Sequence, residues 1–167
     1  TNTIQGGSLR VLCQKSKIRK INNQVRNFLK KEKKSIIYNN QFLRNWPKKI
    51  SNNMEKFNKL VQNKIQNKYS VCGYGAPTKA ALLLKLSKLS NSNIKYTIED
   101  NNLKLNKYIP KTNLKIVNFK NLEKSKPDIL VIFAWNFTED IIKKLKLHKI
   151  RPLTIVVPLP KLKTIRL

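Results

Sequence analysis

Acidic residues are scarce in this chain. Eight Asp and Glu stand against 36 Lys and Arg, a formal net charge of +28 over 167 residues. No pair of carboxylates stands in a context suited to acid–base chemistry. Cysteine is nearly absent: Cys13 and Cys72 cannot build a disulfide framework. Each lies beside apolar residues, so each is expected as a free, buried thiol, and a reducing cytoplasmic compartment fits. The single histidine, His148, has no acidic neighbour in sequence and is expected at the surface, not as a general base. Zinc-ligand spacing and a nucleophile elbow are both missing. No apolar run reaches the ~18–20 residues of a membrane span, so no membrane partner is expected. The opening Thr1-Asn2-Thr3-Ile4 is polar and lacks the basic start of a signal peptide. It also lacks an initiator Met, which points to a fragment of a longer chain.

What remains is a core-forming chain under a lysine-rich surface. Hydrophobic residues make up 40% of it, enough for one domain with a real core. The charge alone would suggest nucleic acid or an anionic surface. Three details weigh against that. The basic residues are mostly Lys, whereas base readout and bidentate phosphate clamps favour Arg. They are spread over every polar face. They accompany abundant Asn, as in Asn22-Asn23, Asn39-Asn40, Asn52-Asn53 and Asn101-Asn102. A solvated lysine surface is the favoured reading, and nucleic acid is not expected as a partner.

Along the chain, residues 6–13 alternate apolar and polar after a glycine pair and read as a strand. Residues 16–34 read as a helix with Ile18, Ile21, Val25, Phe28 and Leu29 on one face. A long helix is expected over 41–68, its stripe of Ile50, Met54, Phe57, Leu60, Val61 and Ile65 serving as packing. From residue 69 the rhythm changes. Strands are expected over 69–72, 93–99, 114–117, 128–134 and 153–157. Helices are expected over 76–89 and 137–147, and a connecting helix or loop over 118–126. Strands alternating with helices, several too apolar to face water, predict an α/β fold: a Rossmann-like parallel sheet with flanking helices, preceded by a strand and long helices. The organisation that follows is a first segment over 1–14, a helical linker over 15–68 and the Rossmann-like domain over 69–167.

Ligands of such sheets sit at the carboxyl ends of strands. Three ends stand out. The first, Gly73-Tyr74-Gly75-Ala76-Pro77-Thr78-Lys79, is a strand, a tight turn and a helix N-terminus, where an anion is favoured. It carries half of a dinucleotide fingerprint, with Thr78 at the place of the third glycine. Lys79 adds a point charge for phosphate. A turn that needs glycine for its backbone explains the same residues equally well. The second end is Glu99-Asp100, with Asp100 where an acid gripping a ribose would stand. The third is Trp135-Asn136, a stacking face and a two-way hydrogen-bonding group, although a core Trp beside a helix cap explains that string too.

Several strings together resemble one family. They are Gly73 to Lys79, Asp100, Tyr108-Ile109-Pro110, Pro127-Asp128-Ile129-Leu130, Ala134-Trp135-Asn136-Phe137 and Val156-Val157-Pro158-Leu159-Pro160. In order and spacing they resemble the C-terminal domain of the S-adenosylmethionine-dependent sugar C-methyltransferases, which act on nucleotide-linked deoxysugars. Gln5-Gly6-Gly7-Ser8-Leu9-Arg10-Val11 is similar to the element that closes the family's methyl-donor domain, with Gln5 where the family has His. Residues 105–111 lack two glycines of the family pattern.

The resemblance implies a parent of three parts: a small zinc domain, a domain binding S-adenosylmethionine, and this one. Neither the zinc nor the donor nor the proposed base belongs to this fragment, which would carry no cofactor and no catalytic residue of its own. It implies as partners a nucleotide-sugar or similar small anionic substrate and the preceding donor-binding domain. Gly73, Gly75 and Thr78 would offer backbone or hydroxyl groups. Lys79 would pair with an anion, and Tyr74, Asp100, Trp135 and Asn136 would flank the substrate. A dinucleotide-binding domain of an oxidoreductase, a basic nucleic-acid-binding module and a half that merely braces the donor domain are the rival readings.

Overall fold

Two runs of this chain, Val71–Tyr74 and Ile129–Ile132, are apolar at every position and buried at every position. Only a strand covered on both faces has that pattern, and these two pair in parallel at the centre of a sheet. The computed structural model describes residues 7–13, 15 and 21–167. It divides into two units, 1–49 and 50–167.

The second unit holds a seven-stranded sheet of order β3-β4-β2-β1-β5-β6-β7. Its strands are β1 (Val71–Tyr74), β2 (Thr97–Ile98), β3 (Tyr108–Ile109), β4 (Leu114–Val117), β5 (Ile129–Ile132), β6 (Thr154–Val157) and β7 (Lys163–Ile165). The five strands β4, β2, β1, β5 and β6 run parallel. The expected Rossmann-like sheet is therefore present, with one addition. Its edges are antiparallel, β3 on β4 and β7 on β6. The chain winds outward from β1 to β2 and β4, then returns to place β5 on the other side of β1. That reversal makes the gap between the carboxyl ends of β1 and β5 the topological switch point, where doubly wound sheets take ligands.

Helices α3 (Thr78–Leu86), α4 (Lys120–Ser125) and α5 (Thr138–Leu147) cover the sheet, together with the second half of α2 (Asn40–Gln66). Side chains alternate between faces along each strand. Val71, Ile129, Val131 and Phe133 pack with Met54, Phe57 and Val61 of α2 and with Ala80, Leu83 and Leu84 of α3. Cys72, Tyr74, Leu130 and Ile132 pack on the other face with Leu122, Ile141 and Leu145. The apolar stripe of α2 is thus packing, as expected. Asn53 fastens the same helix: its Nδ2 donates to the Pro158 carbonyl at 2.8 Å, and its Oδ1 accepts from the Leu162 N–H at 3.2 Å.

The first unit holds α1 (Asn23–Lys33), a 3-10 turn over Ile36–Tyr38 and the first turns of α2. Asn22 caps α1 by accepting from the Gln24 N–H at 2.9 Å. The strand expected over 6–13 is not formed among the described residues 7–13, where only Ser8 takes a bridge position. A strand is made by a ladder with a neighbour, and alternation alone does not supply one. Cys13 is exposed and Cys72 buried, so the expectation of two buried thiols holds for Cys72 alone. Gln5, Gly6 and Ile18 lie outside the described residues.

Candidate functional site

The carboxyl end of β1 is crowded before any ligand is considered. A Cβ added at Gly73 would stand 2.5 Å from Phe133 Cε2 and 2.8 Å from Thr97 Oγ1. At Gly75, where φ is +90°, an added Cβ would meet Ala134 Cβ at 2.6 Å. Both glycines therefore let β1 approach its neighbours, and Gly75 also takes a backbone conformation that other residues avoid. The Thr97 hydroxyl, fully buried, donates to the Gly75 carbonyl at 2.9 Å.

The amides of this turn are spent inside the fold. The Gly73 N–H donates to the Tyr96 carbonyl at 2.8 Å and the Gly75 N–H to the Ile98 carbonyl at 2.7 Å. Glu99 Oε2 accepts from the Ala76 N–H at 2.9 Å. The expectation that the two glycines present backbone N–H groups to an anion is corrected here: sheet pairing satisfies those donors. The turn opens outward only from Thr78 and Lys79, both exposed.

Two acids at the end of β2 hold the turn in place. Glu99 Oε1 accepts from the N–H groups of Asp100 and Asn101 at 3.0 and 3.1 Å. The Lys104 ammonium donates to the Ala76 carbonyl at 3.0 Å and reaches Glu99 Oε2 at 3.4 Å. Burial alone would raise the Glu99 carboxyl; the N–H groups of Ala76 and Asn101 and the Lys104 charge outweigh it and hold it below the usual carboxylate range. Asp100 accepts from the Tyr74 hydroxyl at 3.0 Å on one oxygen and pairs with Lys144 at 2.6 Å on the other. Burial, then the Asp100 charge, push the Tyr74 phenol upward, so it stays protonated as a donor. Both oxygens of Asp100 are thus engaged within the fold, and Glu99, noted at this strand end but not as a site residue, does more to shape the turn.

The third strand end meets the first. Trp135–Phe137 form a 3-10 turn directly after β5. Trp135 is half-buried and packs against the core clusters of both sheet faces, straddling the sheet's end. The Thr138 hydroxyl donates to its carbonyl at 2.7 Å. The Lys79 ammonium lies 5.4 Å from the Trp135 ring centroid. A cation and an aromatic face therefore stand side by side at the switch point, with Asn136 exposed next to them. The structure brings Thr78, Lys79, Trp135 and Asn136 to one rim, with Gly73, Tyr74 and Gly75 buried behind it and Asp100 exposed after β2, held by Tyr74 and Lys144.

His148 is elsewhere. It follows α5 and pairs with Glu123 at 3.1 Å, an acidic neighbour 25 positions away that its sequence surroundings do not reveal. It lines a cleft of about 480 Å³ with Glu123, Lys126, Lys149 and Arg151, at the amino end of the sheet. Helices α4 and α5 end there, so basic side chains at that place compensate helix dipoles. The concave space and the predicted site are at opposite ends of the sheet, and the strand-end geometry is the better guide to chemistry.

Residues 3–160 match the family described as C-methyltransferase C-terminal domain. The chain belongs to that family. Over 102 residues this C-methyltransferase C-terminal domain is 29% identical to the C-methyltransferase NovU of Streptomyces niveus, a match covering 61% of the chain. It spans only 24% of that relative's length. Among the described residues of the domain, no three His, Cys, Asp or Glu side chains come together as metal ligands. No helix described is long and apolar enough to cross a membrane.

Proposed function

We propose that this domain is the substrate side of an S-adenosylmethionine-dependent C-methyltransferase, holding a nucleotide-linked keto-deoxysugar or a similar small anionic substrate. The observation that carries the reading is the Lys79–Trp135 pair at the switch point. An ammonium offers a point charge to a phosphate oxygen. An indole offers a flat apolar face to a sugar or base. Thr78 and Asn136 add hydrogen-bonding groups on the same rim.

In the parent enzyme a base would take a proton from the carbon beside the sugar's keto group. The resulting enolate carbon would attack the donor's methyl, forming a C–C bond as the C–S bond breaks and S-adenosylhomocysteine leaves. The residues weighed as acids or bases have other duties: Tyr74 is held protonated, His148 stands at the other end of the sheet, and Glu139 and Asp140 compensate the dipole in the first turn of α5. This domain therefore binds and orients, and residues 1–167 alone transfer no methyl. A dinucleotide is disfavoured because Thr78 takes the place of the third glycine, and Asp100, where a ribose-gripping acid would stand, is engaged by Tyr74 and Lys144.

The test is steady-state kinetics of the whole gene product with Lys79→Ala and Asn136→Ala. Loss of a charge-assisted hydrogen bond predicts a KM for the sugar substrate raised about tenfold or more for Lys79→Ala, with kcat within about twofold. An unchanged KM in both variants would leave the domain as a brace and end the proposal.

A further inference from the structure

Helix α3 begins without a side-chain cap. Its N-cap residue is Pro77, whose ring accepts no hydrogen bond from the first-turn amides. Ala80, Leu83 and Leu84 seat the body of the helix on the sheet. Its first turn, which carries Thr78 and Lys79, is left to the residues before it.

Ala76 is the residue that is held. Glu99 Oε2 accepts from its N–H at 2.9 Å, and the Lys104 ammonium donates to its carbonyl at 3.0 Å. Both backbone groups of one turn residue are thus satisfied by side chains from beyond β2. The two side chains also meet each other, Lys104 Nζ lying 3.4 Å from Glu99 Oε2. Asn101 sets their spacing. It caps the 3-10 turn Asn102–Lys104 by accepting from the Leu103 N–H at 3.0 Å, which brings Lys104 back to Glu99, five positions before it.

Glu99 has nothing left for a ligand. A carboxylate offers about four acceptor positions. The N–H groups of Asp100 and Asn101 occupy Oε1, and the Ala76 N–H and Lys104 occupy Oε2. Its side chain is 15% exposed, and its charge would repel an anion. Its remaining capacity is to hold the turn.

We propose that Lys104 and Glu99 are positioning residues of the substrate rim: closed on Ala76, they fix the first turn of α3 so that Lys79 stands beside Trp135. This rests on the function proposed above, in which Lys79 and Trp135 meet the substrate. Lys104 acts through Lys79 and does not itself touch the substrate.

A double-mutant cycle in the whole gene product tests it. Lys104→Met is expected to raise the KM for the sugar substrate about fivefold, with kcat within about twofold. In a Lys79→Ala background the same change is expected to add less than about 1.5-fold, because the residue it positions is gone. Lys104→Arg keeps the cation and is expected to stay within about twofold of wild type. Independent effects of Lys79→Ala and Lys104→Met would overturn the proposal, since Lys104 would then meet the substrate directly. So would a wild-type KM for Lys104→Met. Amide shifts of residues 1–167 without substrate decide the clamp separately. Lys104→Met, or the milder Glu99→Gln where Lys104→Met does not fold, is expected to move the Thr78 and Lys79 amides and the Trp135 indole, with Leu130 and Val131 unmoved. A rim that stays in place would overturn the proposal. A wild-type KM for Lys79→Ala ends the substrate reading instead, and the amide shifts still decide whether the clamp sets the turn.

Discussion

Replacing Gly75 by alanine should be among the most damaging one-carbon changes in the sheet. Two costs add. A non-glycine residue in the left-handed half of backbone space costs about 1–2 kcal/mol, and Gly75 has φ +90°. The new Cβ would also stand 2.6 Å from Ala134 Cβ and 3.0 Å from the Ala134 nitrogen. Those atoms belong to backbone or are attached to it, so relief requires the end of β5 to move. Overpacking of this kind costs about 1–3 kcal/mol. A total near 3 kcal/mol corresponds to a Tm lowered by roughly 10 °C for a unit of this size. Gly73→Ala has only the second cost, because its contacts are the Phe133 ring and the Thr97 side chain and its φ is not positive. Thermal and urea unfolding of residues 1–167, followed by far-ultraviolet circular dichroism, measures both. Adding Ala134→Gly to Gly75→Ala should recover at least about 1 kcal/mol, since one of the two clashing carbons is gone. A loss below about 1 kcal/mol for Gly75→Ala, or no recovery in the double variant, would refute the close-approach account.

Two further outcomes follow from the same contacts. Asn53→Ala removes both partners that tie α2 to residues 158–162, and a loss of about 1–2 kcal/mol is expected in urea unfolding. Asp128 accepts from the Ser70 N–H and hydroxyl at 2.8 and 2.7 Å, and these bonds hold its carboxyl below the usual range. A depressed carboxylate stabilises the fold above its ordinary pKa and loses that contribution as pH falls through the lowered one. Asp128→Asn should therefore be less stable than wild type at neutral pH, with the gap closing below about pH 4. A gap that stays constant into acid would sink this assignment.

Much of the fold is legible in the sequence because the buried strands announce themselves. Runs such as Ile129–Ile132 and Thr154–Val157 are short, β-branched and apolar, which favours strands between two layers, and their alternation with helices favours a parallel order. The edge strands β3 and β7 are not legible. Tyr108–Ile109 has two residues, one exposed, and Lys163–Ile165 has two exposed of three. Neither carries enough periodicity to distinguish it from a loop. Strand β2 is shorter than the expected 93–99 and forms only at Thr97–Ile98. The turn at Gly73–Lys79 is legible as a strand-to-helix turn, but the fate of its amides is not. Glu99 meets Ala76 from 23 positions away, and only the fold brings them together. The same holds for Glu123 and His148. The family is legible through its strings, and nothing in charge or composition would have named it.

The central claim is that the carboxyl end of this sheet, at Lys79 and Trp135, is where an anionic nucleotide-linked substrate sits. Amide and indole chemical shifts of residues 1–167, titrated with a nucleoside-diphosphate-linked keto-deoxysugar, test it most directly. The account predicts saturable shifts at Thr78, Lys79, the Trp135 indole and Asn136, with the cleft around Lys126, His148 and Arg151 unmoved. Shifts confined to that cleft, or spread over the lysine surface and abolished by moderate salt, would contradict it.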